Sequence, residues 1–168
     1  DASTSSMNTK LSFARCQLGP AGLTTIANFI YDMPAVTEVN LSTNKCFGEG
    51  KYPEGNGRMT GKPNGQHDVD KDQTGWTSFC EALKGHKSIQ TLALSDIGIG
   101  PLGLTTLAKF IPDSTALNEV RLDGNPITGS KYRYGMKGHG VEEYDCNASG
   151  LVALLEAMKS SPVSKLSI

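Results

Sequence analysis

One stretch of this chain is written twice. Residues 17–41, QLGPAGLTTIANFIYDMPAVTEVNL, and residues 98–122, GIGPLGLTTLAKFIPDSTALNEVRL, agree at 14 of 25 positions and lie 81 residues apart. Agreement over that length does not arise from composition, so the chain is built from a duplicated unit. Repetition at this scale restricts the fold to architectures in which each unit buries its apolar face against the next.

Inside the duplication a shorter phrase recurs. It reads Val36-x-x-Val39-x-Leu41-x-x-Asn44-x-Cys46, then Ile89-x-x-Leu92-x-Leu94-x-x-Ile97-x-Ile99, then Leu117-x-x-Val120-x-Leu122-x-x-Asn125-x-Ile127. A weaker copy carries Leu11, Phe13, Cys16 and Leu18, and another begins with Val163, Leu166 and Ile168. Alternation such as Val120/Leu122 has period two and predicts a short strand with one buried face. Segments of helical period follow, with Leu23, Ile26, Ala27 and Ile30 on one face, as are Trp76, Phe79, Cys80 and Leu83. Leu104, Leu107, Ala108 and Ile111 repeat the pattern, as do Leu151, Leu154, Leu155 and Met158. A glycine (Gly22, Gly75, Gly103, Gly150) stands before the first apolar residue each time, and the next strand phrase begins 13 residues after that residue in three cases and 12 in the last.

The phrase L-x-x-L-x-L-x-x-N-x-I followed by an amphipathic helix resembles the leucine-rich repeat, in its 28-residue ribonuclease-inhibitor-like form. The resemblance implies an α/β fold, a leucine-rich repeat solenoid: a right-handed βα horseshoe segment with parallel strands on a concave face and helices on the convex face. The expected division is an N-terminal tail at 1–7 and a single domain at 8–168. Its repeats are 8–35, 36–88, 89–116 and 117–162, with a fifth starting at 163–168. In the family the Asn slot bonds backbone groups in the turn after the strand, which assigns that role to Asn44 and Asn125. Cys16 is a substitution the family accepts. Ile97 departs from the pattern, and a looser turn is expected there.

The second and fourth repeats carry insertions between strand and helix, 25 and 19 residues longer than the third repeat needs. They resemble each other: Lys51-Tyr52 answers Lys131-Tyr132, and Asp68-x-Asp70-x-Asp72-x-Thr74-Gly75 answers Glu143-x-Asp145-x-Asn147-x-Ser149-Gly150. Long loops within so regular a chain are functional or disordered.

Alternate oxygen side chains suggest a calcium loop, but the loop glycine and the Glu at position twelve are missing. Thr74 and Ser149 are instead expected to cap the helices that follow, with the acids at the positive end. Residues 55–62, GNGRMTGK, fall short of a phosphate-binding loop, since Asn56 and Pro63 occupy required positions. His67, His86 and His139 are isolated, and no nucleophile–base pair is assembled, so the chain is expected not to be an enzyme and to need no cofactor and no metal. The cysteines, Cys16, Cys46, Cys80 and Cys146, lack CxxC spacing and are read as reduced thiols, with a Cys46–Cys80 disulfide left open. That reading places the chain in a reducing, cytoplasmic compartment.

The expected function is protein–protein recognition. One candidate surface is the outward strand face, including Glu38, Asn40, Glu119 and Arg121. The other is the insertions on one edge, where Lys131, Tyr132, Arg133, Tyr134 and Lys137 form a basic aromatic cluster in the second and Tyr52 and Arg58 are candidates in the first. A net charge of −1 argues against nucleic acid, and no apolar run is long enough to insert into a membrane. The alternatives are regulation of a GTPase or hydrolase, with Arg133 at the rim, and a structural or accessory role in a larger assembly. Neither end carries a polar capping repeat, so end-to-end packing with other repeats or subunits is also expected.

Overall fold

The computed structural model describes residues 9–48, 69–84, 86–133 and 140–168, and only the backbone of 131–133 and 140–143. The protein is α/β. Strands β1 (Thr9–Ser12), β2 (Val36–Asn40), β3 (Thr91–Ala93), β4 (Glu119–Arg121) and β7 (Lys165–Ser167) form a five-stranded sheet, in that order. Every neighbouring pair is parallel. Parallel neighbours need a crossover, and helices α1 (Pro20–Ile30), α2 (Thr74–Lys84), α3 (Pro101–Phe110) and α4 (Ser149–Met158) supply one each. The remaining strands, β5 (Lys131–Arg133) and β6 (Gly140–Glu143), pair antiparallel within the second insertion.

The two periodicities account for the core. The inward row across the sheet is Leu11, Val39, Leu92, Val120 and Leu166, and its three central members have no exposure. From the helices come Leu23, Phe79, Leu83, Leu104, Leu107 and Leu154, all fully buried. Each side chain of this size adds roughly 1.5–3 kcal/mol when removed from water. Trp76, with no exposure, packs on Phe47 at 5.5 Å between ring centroids and donates its indole N–H to the Gly103 carbonyl at 2.9 Å.

The glycine before each helical face has a steric cause. A Cβ on Gly75 would lie 2.1 Å from the Pro20 carbonyl oxygen, and one on Gly150 would lie 2.1 Å from that of Pro101. Backbone there packs directly on backbone, which only glycine permits. Pro20 and Pro101 themselves open α1 and α3, at a helix start where no N–H bond is lost.

The turns after the strands are held from the following unit. Asn44 accepts N–H bonds from Cys16 (3.1 Å) and Leu18 (2.9 Å), and donates to the Phe13 (2.8 Å) and Leu41 (2.7 Å) carbonyls. Asn125 accepts from Ile97 (3.0 Å), Gly98 (3.0 Å) and Ile99 (3.2 Å), and donates to Leu94 and Leu122, both at 2.8 Å. The turn at Ile97 is therefore not loose, contrary to expectation. Ile97 is fully buried, and its backbone is satisfied by a residue 28 positions on.

Helix capping also differs from expectation. Thr74 and Ser149 are the first helical residues, and it is Asp72 and Asn147 that accept their N–H groups, at 2.9 and 3.0 Å. Thr74 holds the Asp72 carboxyl below its ordinary value through that bond. Asp70 caps α3 rather than its own helix: its carboxylate accepts from Gly100 (2.8 Å), Leu102 (2.7 Å) and Gly103 (3.0 Å). Both Asp70 oxygens are thereby occupied, and among the described residues no group of His, Cys, Asp and Glu is arranged to hold a metal ion.

All four cysteines are free thiols, including Cys46 and Cys80. Burial pushes the Cys46 thiol up to about 12 and that of Cys80 higher still. No helix of the described residues is long and apolar enough to cross a membrane.

Candidate protein-binding face

Because side chains alternate along a strand, the face opposite the core collects two rows, polar except for the buried Ala93. In-register pairing aligns Lys10, Glu38, Thr91, Glu119 and Lys165 in one row, and Ser12, Asn40, Ala93, Arg121 and Ser167 in the next. The candidates Glu38, Asn40, Glu119 and Arg121 thus come together on one surface, each half-buried by its neighbours.

The charges on this face are paired locally. Lys10 Nζ meets Glu38 Oε2 at 2.8 Å, and Arg121 Nε meets Glu119 Oε1 at 2.8 Å. The bond to Arg121 lowers the Glu119 carboxyl below its usual range and raises the Arg121 guanidinium. Exposed pairs like these add little to stability. Their consequence is orientation, since each ties the end of a long side chain to a neighbouring carboxylate. Arg121 remains 44% exposed, so its guanidinium is open to a second acceptor.

At the strand ends a third group escaped the sequence reading. Asp123 accepts from Ser167 and, at 3.2 Å, from Ser95, joining three strand ends. The Ser167 hydroxyl is the main cause of its lowered carboxyl pKa. Asp96 nearby has a raised one, because burial strips it of water. The signal for this cluster was the spacing: Ser95 and Asp96 follow Leu92-x-Leu94, Asp123 follows Val120-x-Leu122, and Ser167 lies in β7.

The second candidate surface is placed only in part. Lys131, Tyr132 and Arg133 form β5, opposite Glu143, Val141 and Gly140 of β6. The side chains of these three, and Tyr52, Arg58, Tyr134 and Lys137 entirely, lie outside the described residues.

No protein-family model matches the chain, and no curated protein matches it in sequence. Among solved structures, one titled "Leiomodin-1 Actin-Binding Site 2 (ABS2)" is similar in fold, with a TM-score of 0.61 at 12% identity. The match covers 96% of this chain and 69% of that one.

Proposed function

We propose that this protein is a leucine-rich repeat solenoid segment whose role is non-enzymatic recognition of a protein partner. The strand face is the primary contact, with the insertion hairpin β5–β6 beside it. The repeated asparagine bonds and the strand order that follows the chain favour the solenoid reading. The observation that carries the function is the pair of polar rows, in which Glu38, Asn40, Glu119 and Arg121 are held in fixed positions on a wide sheet. A broad, rigid surface with an exposed arginine suits a protein partner more than a small molecule.

Actin is the first partner to test, because the leiomodin-1 structure is titled an actin-binding site. Co-sedimentation with filaments and fluorescence titration with monomeric actin would compare three forms. These are the intact chain, the Arg121→Glu/Glu38→Lys variant, and one in which residues 51–67 and 134–139 are replaced by short Gly/Ser linkers. Binding lost with the charge-reversed face supports the proposal. Binding lost only with the shortened insertions would move the site to the insertions. No binding by any form removes actin, and the same three forms then serve as affinity baits. Identical capture by all three would overturn the strand-face reading. A structural role in a larger assembly is the second reading, favoured by the exposure of Phe29 and Leu155 at the two ends of the helix layer.

A further inference from the structure

Phe29 and Phe110 are the same residue of the duplicated unit, yet Phe110 is 2% exposed and Phe29 is 61% exposed. Helices α1 and α3 each have a following helix packed against them. Among the described residues they differ in what precedes them: α3 follows β2 and α2, whereas α1 follows no such unit. Among the described residues no unit covers the side of α1 that carries Phe29, as α2 covers that side of α3. The opposite end has the complementary defect. Cys80 on α2 is 3% exposed, but its counterpart on α4, Leu155, is 46% exposed. Trp76 has no exposure, but its counterpart Leu151 is only half-buried. What covers α2 on that side is α3, to which Trp76 is bonded at Gly103. Helices α1 and α4 thus present, uncovered, the two halves of the α2–α3 junction.

The polar groups of that junction are separated in the same way. Asp70, at φ 59°, caps Gly100, Leu102 and Gly103 at the start of α3. Its counterpart Asp145 has φ 53° and is exposed, and its carboxylate accepts no hydrogen bond from the described residues. The matching N–H groups of Gly19, Ala21 and Gly22, at the start of α1, have no side-chain acceptor among the described residues. Glycine is required at 100, because a Cβ there would lie 2.0 Å from Val69 and 2.6 Å from Asp70. At Gly19 a Cβ would meet nothing within 4 Å, so a single copy gives that glycine no steric purpose. Tyr144, the counterpart of Val69, is 73% exposed.

The sheet accepts the same exchange. The strand on the far side of β4 is Lys165-Leu166-Ser167, the tripeptide that β1 carries as Lys10-Leu11-Ser12. We infer that this protein docks head to tail on a second copy of itself. The second copy's α1 lies on α4, its β1 takes the place of β7 on β4 and releases β7 from the sheet with its Ser167–Asp123 bond, and Asp145 caps its first helix while Tyr144 sits over Gly19. The two contacting surfaces differ, so each copy keeps a free face after pairing and further copies add head to tail, as a ring or an open row.

Sedimentation velocity over a wide concentration range tests this. The average mass of the intact chain should rise with concentration past two copies. Phe29→Glu blocks one end and Leu155→Glu the other. Each variant should be monomeric alone, and an equimolar mixture should form a dimer and stop there, because each supplies the face the other lacks. Gly19→Ala should weaken association about tenfold or more while leaving the urea unfolding curve unchanged, a result that loss of fold could not imitate. If either glutamate variant misfolds, Gly19→Ala and Asp145→Ala replace the pair: each alone should associate more weakly than the intact chain, and mixing them should restore pairing of two copies. An intact chain that stays monomeric throughout would overturn the inference. So would self-association that survives in either blocked variant, or blocked variants that fold but do not pair.

Discussion

The Asn125 carboxamide oxygen accepts the Ile97 N–H at 3.0 Å, so a side chain of one unit completes the backbone of the unit before it. The same oxygen also serves Gly98 and Ile99, and the amide nitrogen serves Leu94 and Leu122. Removing it leaves several backbone groups without partners. Asn125→Ala is expected to cost about 2–4 kcal/mol, read from urea unfolding. Asn44→Ala, at a residue only 6% exposed, should cost a similar amount. A loss below the cost of one hydrogen bond at both positions would show that water replaces the carboxamide.

The close approach of Pro20 to Gly75 predicts a large response to one methyl group. Gly75→Ala and Gly150→Ala each drive a Cβ into a carbonyl oxygen and should cost about 1–3 kcal/mol. Gly19→Ala, in open space, should cost clearly less. Equal effects at the three glycines would contradict the packing.

The chain's one tryptophan reports on the core directly. Trp76 emission should be blue-shifted in the native state and move red on unfolding, in a single transition that coincides with loss of far-UV circular dichroism. Trp76→Ala should cost about 3–5 kcal/mol.

Two neighbouring acids should respond to pH with opposite signs. The Asp123 carboxyl is lowered by Ser167, so it stabilises the fold above the ordinary Asp pKa, and that contribution is lost as pH falls through its folded value. The Asp96 carboxyl is raised by burial, so its charge is a penalty at neutral pH that protonation relieves. Asp96→Asn, which keeps a side chain tolerant of φ 55°, should raise the urea midpoint at pH 7, with the gain disappearing in acid. Ser167→Ala should lower the midpoint at pH 7 and flatten the acid limb. A fall in the midpoint on Asp96→Asn would mean that its carboxylate has a structural role.

Thiol labelling separates the cysteines. Cys16, exposed, should react in the native protein, and Cys46 and Cys80 only after unfolding, since burial keeps them protonated. Native reactivity of Cys80 would show that the α2–α3 junction opens.

Much of this architecture was legible because its signals are periodic. Val39/Leu41, Leu92/Leu94 and Val120/Leu122 marked the strands, and the even spacing after Leu23, Trp76 and Leu104 marked the helices. The expected polar face assembled where the in-register strands put it. What was missed involves reach rather than period. Nothing local says that Asn125 serves Ile97, so an apolar residue in the slot looked like a fault. Asp70 looked like a member of an acidic row because its partner, the start of α3, lies 30 residues further on. The signal that could have found it was the duplication itself, which pairs Asp70 with Asp145 while keeping Gly-Pro at each matching helix start.

The asparagine bonds also set an order in time. The turn at Cys16 and Leu18 cannot exchange water for its native acceptor until Asn44 exists, 28 and 26 residues later. The Ile97 turn waits in the same way for Asn125. A chain leaving the ribosome therefore holds its most recent turn open, and each new stretch of synthesis closes the one before. Slower translation across residues 18–44 and 99–125 is therefore expected to lengthen the time these turns stay open to a chaperone, a protease or another nascent chain.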